Sequence, residues 1–216
     1  MLSNFGNSLI IINILISLSI IYFSSKNLQI VNQLVPKKIY YLSLYQVTIS
    51  TLCFTTLITG FMLSDFSLIS VFQNSHSLKP IFYKISGTWG NHEGSLLLWI
   101  CIMVFFSYLF LIFNKKAPAK FNLLTLITQN ILILGFLFFL LINSNPFSKI
   151  IPIPLEGMGL NPILQDPALA IHPPLLYIGF VGSSIFFSAA IASLLSRHSG
   201  KLFAHSIKNW VLISWC

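Results

Sequence analysis

Apolar and polar segments alternate along the chain in blocks of membrane-spanning length. Five apolar stretches, roughly 6–25, 39–63, 92–113, 121–143 and 174–196, are separated by loops that hold nearly all the charge. A spanning helix needs about 20 mostly apolar residues. The pattern therefore predicts an all-α integral membrane protein, a single membrane domain over 1–216 with five transmembrane helices plus the start of a sixth near Trp210. The run from Trp210 to Cys216 has seven residues, too few to span. The first apolar stretch has neither a basic leader nor a small-residue cleavage site, and is read as a retained span.

Loop charge predicts orientation. Loops 26–38, 114–120 and 197–209 carry Lys26, Lys37, Lys38, Lys115, Lys116, Lys120, Arg197, Lys201 and Lys208, and no acid. The remaining loops hold Lys79, Lys84 and Lys149 with Asp65, Glu156 and Asp166, and Glu93 lies at their edge. Nine cations against three is a positive-inside signal, so the N-terminus is expected outside and loops 64–91 and 144–173 form the outer face. His76, His92 and His172 then face outward, while His198 and His205 lie in an inner loop. No histidine lies mid-span, so a cofactor buried in the bilayer has no candidate ligand here.

Composition agrees with the membrane assignment: 56% of residues are hydrophobic and 7% charged, and mean hydropathy is +0.85. The net charge of +8 sits in short loops and is read as topology rather than nucleic-acid binding. Arg197 is the only arginine among twelve basic residues, a bias of AT-rich genomes that fits a mitochondrial gene or an AT-rich bacterium. Cys53, Cys101 and Cys216 form no CxxC pair and are read as small apolar residues.

The outer loops carry the candidate chemistry. Loop 144–173, with the proline that follows it, contains Pro146, Pro152, Pro154, Pro162, Pro167, Pro173 and Pro174, too many for a regular helix through most of its length. His172 precedes the last two, which are expected at a first helical position, so the imidazole would project from just outside the helix start. A neutral imidazole there suits an axial ligand to heme iron, with Asp166 as a candidate orienter. The plain alternative is an interfacial hydrogen-bonding histidine beside helix-terminating prolines. In Trp89-Gly-Asn-His92-Glu93, Asn91 is expected to cap the next span with Glu93 in its first turn. Trp89, His92 and Glu93 either line an outer pocket or simply anchor that span. The fifth span is rich in small residues and is expected to pack against other helices, whereas spans one and four suit lipid contact. Gly60 and Gly135 either mark close packing or are ordinary membrane-helix glycines.

Two segments together resemble a known family. Ser86-Gly-Thr-Trp-Gly-Asn-His-Glu-Gly-Ser-Leu-Leu-Leu-Trp99 is similar to the WGNHEGS segment of the cytochrome c maturation protein F (CcmF) family. Gly159-Leu-Asn-Pro-Ile-Leu-Gln-Asp-Pro-Ala-Leu-Ala-Ile-His-Pro-Pro-Leu-Leu-Tyr-Ile-Gly179 is similar to that family's LNPLLQDP and HPPLLY segment, in the same order. The resemblance implies a heme lyase of the heme-handling superfamily. Such proteins receive a b-type heme from the pathway's heme chaperone and join its vinyl groups to the CxxCH cysteines of apocytochrome c. It implies His172 as one of two outer axial ligands, Pro173 and Pro174 as its positioning residues, and Trp89, His92 and Glu93 as pocket residues. The family's tryptophan-rich WWD platform, second outer histidine and membrane histidines are absent. This implies the N-terminal subunit of a split lyase, inactive alone and completed by partner chains carrying those features; a truncated sequence would look the same. The expected location is the mitochondrial inner membrane, or a bacterial inner membrane, with the functional loops facing outward.

Two other functions compete. One is a scaffold subunit of a larger inner-membrane respiratory assembly without heme chemistry, which retention of both motifs opposes. The other is a transporter, which four acids, none mid-span, and the lack of an internal repeat oppose.

Overall fold

The computed structural model describes residues 1–29, 34–198 and 200–215. Parts of the basic loops 26–38 and 197–209, and Cys216, lie outside the described residues. Nine helices occur among the described residues: α1 (Leu2–Asn27), α2 (Lys37–Met62), α3 (Ile69–Asn74), α4 (Ile81–Gly87), α5 (His92–Phe113), α6 (Ala119–Asn143), α7 (Pro167–Gly182), α8 (Ser184–Ser196) and α9 (Lys201–Trp215). A 3-10 turn at Pro162–Gln165 precedes α7, and the only β pairing among these residues is an isolated antiparallel bridge between Leu68 and Lys149. Helices α1, α2, α5, α6 and the α7–α8 run over 167–196 are each long and apolar enough to cross a membrane. The protein is a multi-pass membrane protein.

Helix α6 packs against α1, α5 and α8, α2 bridges α1 and α5, and α7 lies on α5 and α9. In lipid there is little hydrophobic drive between helices, so close packing and interhelical hydrogen bonds must hold the bundle. Both are present. Gln46 Nε2 donates to Ser17 Oγ at 2.6 Å and to Asn130 Oδ1 at 2.9 Å, tying α1, α2 and α6 through one buried amide. Asn13 Nδ2 reaches Ser50 Oγ at 2.6 Å. Gln129 Nε2 donates to Ser184 Oγ at 2.9 Å and Ser188 Oγ donates back to Gln129 Oε1 at 2.7 Å, joining α6 to α8.

The small-residue stripe packs as expected: Ser188, Ala189, Ala192 and Ser193 are buried, and a Cβ on Gly182 would come within 2.8 Å of the Phe106 ring. Of the two span glycines, Gly60 is approached by Leu68 and Gly135 has open space beside it. Helices α1 and α6 expose Leu15, Leu18, Ile131 and Phe138 on their outward faces, yet both also bury long apolar stripes.

The ends of the bundle differ. At one, loops 63–91 and 144–166 fold over each other: Ile69 N–H bonds Ser148 O at 2.9 Å and Met158 N–H bonds Phe72 O at 2.8 Å. The start of α1 joins them through Ser3 Oγ to Phe147 O at 2.6 Å and Asn145 Nδ2 to Asn7 Oδ1 at 2.7 Å. At the other end, Lys38 lies 3.5 Å over the Phe23 ring and the His198 ring lies tilted against Phe121 with centroids 4.7 Å apart.

Two boundaries differ from the sequence expectation. Helix α7 starts at Pro167, not at Pro173 or Pro174, because Asp166 caps it: its Oδ1 accepts from Ala168 N at 2.8 Å and Leu169 N at 3.1 Å. Residues 201–209, expected as loop, form the first half of α9. Phe203, Ile207 and Trp210 recur at helical spacing and pack on the core while Lys201, His205 and Lys208 face away, an amphipathic pattern that favours helix.

Candidate functional site

His172 lies in the second turn of α7, with Pro173 and Pro174 inside the helix. Two prolines cannot donate to the carbonyls four residues before them, so Leu169 O and Ala170 O lose their helical partners. The side chain of Trp89 replaces one: its Nε1 donates to Ala170 O at 2.8 Å. The indole is seated by Phe54, whose ring is stacked 6.5 Å away. The two sequence motifs are thus joined by a single hydrogen bond that the proline itself creates. Asp166 is not beside His172 as an orienter; its carboxylate is committed to the α7 N-terminus.

The imidazole of His172 is exposed, on an α7 face that also exposes Leu169, Leu175 and Leu176. An apolar surface around one open imidazole can take a flat, hydrophobic metal macrocycle, and His172 can supply one nitrogen to its metal. Among the described residues no three His, Cys, Asp or Glu side chains come together to hold a metal.

His92 and Glu93 do not join His172. Asn91 caps α5 as expected, its Oδ1 accepting from Gly94 N at 2.7 Å, and Glu93 sits in the first turn. His92 instead turns toward α6, with Nδ1 3.1 Å from Ser144 Oγ and its ring edge-on to Phe139 at 6.4 Å. Gly94 is required by close approach, since a Cβ there would fall inside the Thr88 carbonyl oxygen.

Two features had no role in the sequence expectation. Trp99 packs edge-on to Phe136, Tyr177 and Phe180 at 6.2, 5.5 and 5.8 Å, fixing α7 against α5 and α6 beneath the histidine. Its place two helical turns beyond His92, at the end of the first motif, was the available signal. The second is a clasp between the outer loops: Glu156 accepts from Ser77 Oγ, from Ser77 N at 2.9 Å and from Gly157 N at 3.0 Å, with His76 Nδ1 3.8 Å away. The Ser77 hydroxyl, then the Gly157 and Ser77 amides, hold the Glu156 carboxyl down at about 2.

Residues 89–216, which contain this site, match the family model for cytochrome C assembly protein. The chain belongs to the cytochrome C assembly protein family. It is 48% identical over 162 residues to the cytochrome c-type biogenesis protein CycK of Rhizobium meliloti (strain 1021), covering 75% of this chain and 24% of that protein. It is 43% identical over 163 residues to cytochrome c-type biogenesis protein CcmF of Escherichia coli (strain K12), covering 75% and 25%. The solved structure of cytochrome c heme lyase CcmF superposes with a TM-score of 0.79 at 21% identity over 99% of this chain and 33% of that one, which shows a shared fold. This family member thus spans about a quarter of the length of those curated relatives.

Proposed function

We propose that the protein is the N-terminal subunit of a multi-chain cytochrome c heme lyase, acting in cytochrome c biogenesis. In this reading it holds heme at the outer membrane face while thioether bonds form to the CxxCH cysteines of apocytochrome c. The observation that carries it is the open His172 on an apolar face of α7, locked to the Trp89 motif through Ala170 O. The names of the relatives support the pathway.

His172 would hold the heme iron through one imidazole nitrogen, Trp89 fixes the α7 turn that carries it, and Leu169, Leu175 and Leu176 would exclude water from one heme edge. Heme supplies the electrophilic vinyl groups: each cysteine S–H adds across a vinyl C=C, the sulfur to one carbon and the proton to the other. No nucleophile or base in this chain is required, because the thiolate belongs to the apocytochrome. Trp89 is placed here as a positioning residue; Pro174 acts by freeing the Ala170 carbonyl it binds, and Pro173 frees the neighbouring Leu169 carbonyl. A partner chain provides the second axial histidine and the tryptophan-rich platform, and the pathway's heme chaperone delivers heme. The charge pattern supports an outward placement of the loop-bearing end, and the lysine-rich, arginine-poor composition fits a mitochondrial inner membrane or that of an AT-rich bacterium.

The test is His172→Ala in cells that depend on this chain. Holocytochrome c is expected to fall at least tenfold with the variant still in the membrane at its usual level, and heme is expected to be lost from the affinity-purified assembly. Unchanged holocytochrome c would overturn the proposal. Mass spectrometry of the same eluate identifies the platform-bearing partner, and its absence would favour a scaffold role.

A further inference from the structure

We propose that a groove between α5 and α9, at the cation-rich end of the bundle, binds one anionic phospholipid. The groove encloses about 1000 Å³, at the top of the range of about 300–1,000 Å³ seen for small-molecule sites. Its walls are apolar deeper along α5 and α9, with Phe105, Leu109 and Ile213 facing it, and polar at one end, where Asn114 and Lys116 of the turn after α5 and His205, Ser206 and Asn209 of α9 line it. This division matches an amphiphile seated head-first at the 114–118 turn.

Depth and chemistry select the occupant. From Cys101 to Phe113 the α5 wall rises about 18 Å at about 1.5 Å per residue, close to the roughly 15 Å of a single leaflet's hydrocarbon. The head end presents donors. Asn114 Nδ2 is buried and has no hydrogen-bond partner among the described residues, and Lys116 adds a cation. A phosphodiester offers only acceptors and carries negative charge, so it pairs with Lys116 and, once the Asn114 amide turns toward the groove, accepts from its Nδ2. All four acids, Asp65, Glu93, Glu156 and Asp166, lie at the opposite end of the bundle, while Lys115 lies in the turn after α5, Lys120 in the first turn of α6, and Lys201 and Lys208 on α9. A zwitterionic headgroup would bring its own cation into this lysine-rich surround and lose most of the attraction. Trp210, buried against Phe106, Phe110 and Phe113, gives the groove a rigid aromatic floor.

The experiment uses the full chain purified with its membrane partners, stripped of lipid in neutral detergent. It is titrated separately with phosphatidylglycerol and phosphatidylcholine and followed by native mass spectrometry. One phosphatidylglycerol is expected to stay bound at activation energies that remove phosphatidylcholine. Lys116→Gln is expected to weaken phosphatidylglycerol binding about fivefold, as for one cation near an anionic headgroup, and to leave phosphatidylcholine unchanged. Leu109→Trp, which fills the groove without touching the headgroup site, is expected to abolish the tight adduct. Equal retention of the two lipids, or undiminished binding in Lys116→Gln, would overturn the proposal. So would a photo-crosslinker at Leu109 that captures a protein helix instead of lipid. None of these readouts depends on His172 or on heme.

Discussion

The bond from Trp89 Nε1 to Ala170 O is where the two motifs meet, and neither motif alone discloses it. Its logic is a proline that removes a donor and an indole that replaces it. Trp89→Phe keeps the ring and loses the N–H, leaving a part-buried carbonyl short of a partner at a cost of about 1–3 kcal/mol. We expect a lowered melting temperature in detergent and a holocytochrome yield between wild type and His172→Ala; yield equal to wild type would remove Trp89 from the positioning role. At the loop clasp, the Glu156 carboxyl is held at about 2, below its unfolded value of about 4.3. A depressed folded pKa contributes stability that is complete above about pH 4.3 and disappears as pH falls toward about 2. The protection factors of the Ser77 and Gly157 amides, their exchange rates corrected for the intrinsic pH dependence of an unfolded amide, should therefore be constant at neutral pH and fall as pH drops through that window. Glu156→Gln should show the lowered protection at every pH. Of these contacts, only the cap at Asn91 was legible in the sequence, because a cap is a local pattern whereas the clasp joins residues far apart in the chain.

Among the helices, α6 is the connector, and its Asn130 and Gln129 are the reason. A sequence scan registers these residues as lowered hydropathy within a span and cannot say whether they meet partners. In the fold Gln46 bridges Ser17 and Asn130, so three helices share one amide. Gln46→Leu leaves both partners without their donor, and we expect a destabilisation of about 0.6–1.7 kcal/mol, from the average to the maximum found for single interhelical bonds in lipid, read as a lower midpoint in detergent unfolding. No measurable change would mean that packing alone holds α1 to α6. The boundaries of α7 and α9 were misplaced in the sequence for different reasons. At α7 the Asp166–Pro167 start signal lay six residues before the more conspicuous His-Pro-Pro, and prolines in a second turn are tolerated when another group takes the freed carbonyl. At α9 lysines spaced along one face concealed an amphipathic helix.

For the molecule as a whole, charge divides the two ends: every acid lies with the two folded loops, and the nine cations of the basic segments lie at the other end. Topology should follow that division. Single cysteines at Met158 and Lys120, introduced in a background with Cys53, Cys101 and Cys216 replaced, are expected to react with an impermeant maleimide only at 158 in right-side-out vesicles. Labelling at 120 alone would invert the proposed orientation. The fold is shared with a solved heme lyase over 99% of this chain and 33% of that one.

Hydropathy, loop charge and two motifs were enough to give the spans, the family resemblance and the candidate ligand, because each is written in contiguous residues. The remainder depends on contacts between segments far apart in sequence. Whether His92 joins His172 was settled by α5 presenting that histidine to Ser144 and Phe139 of the α6 side while Trp89, one turn earlier, reaches α7. Asp166 was drawn away from His172 by the unpaired amides of a helix start. The polar bridges of α6 and the groove beside α9 arise only when helices pack, since a hydrogen bond across helices and an enclosed volume are properties of paired surfaces that no single segment carries.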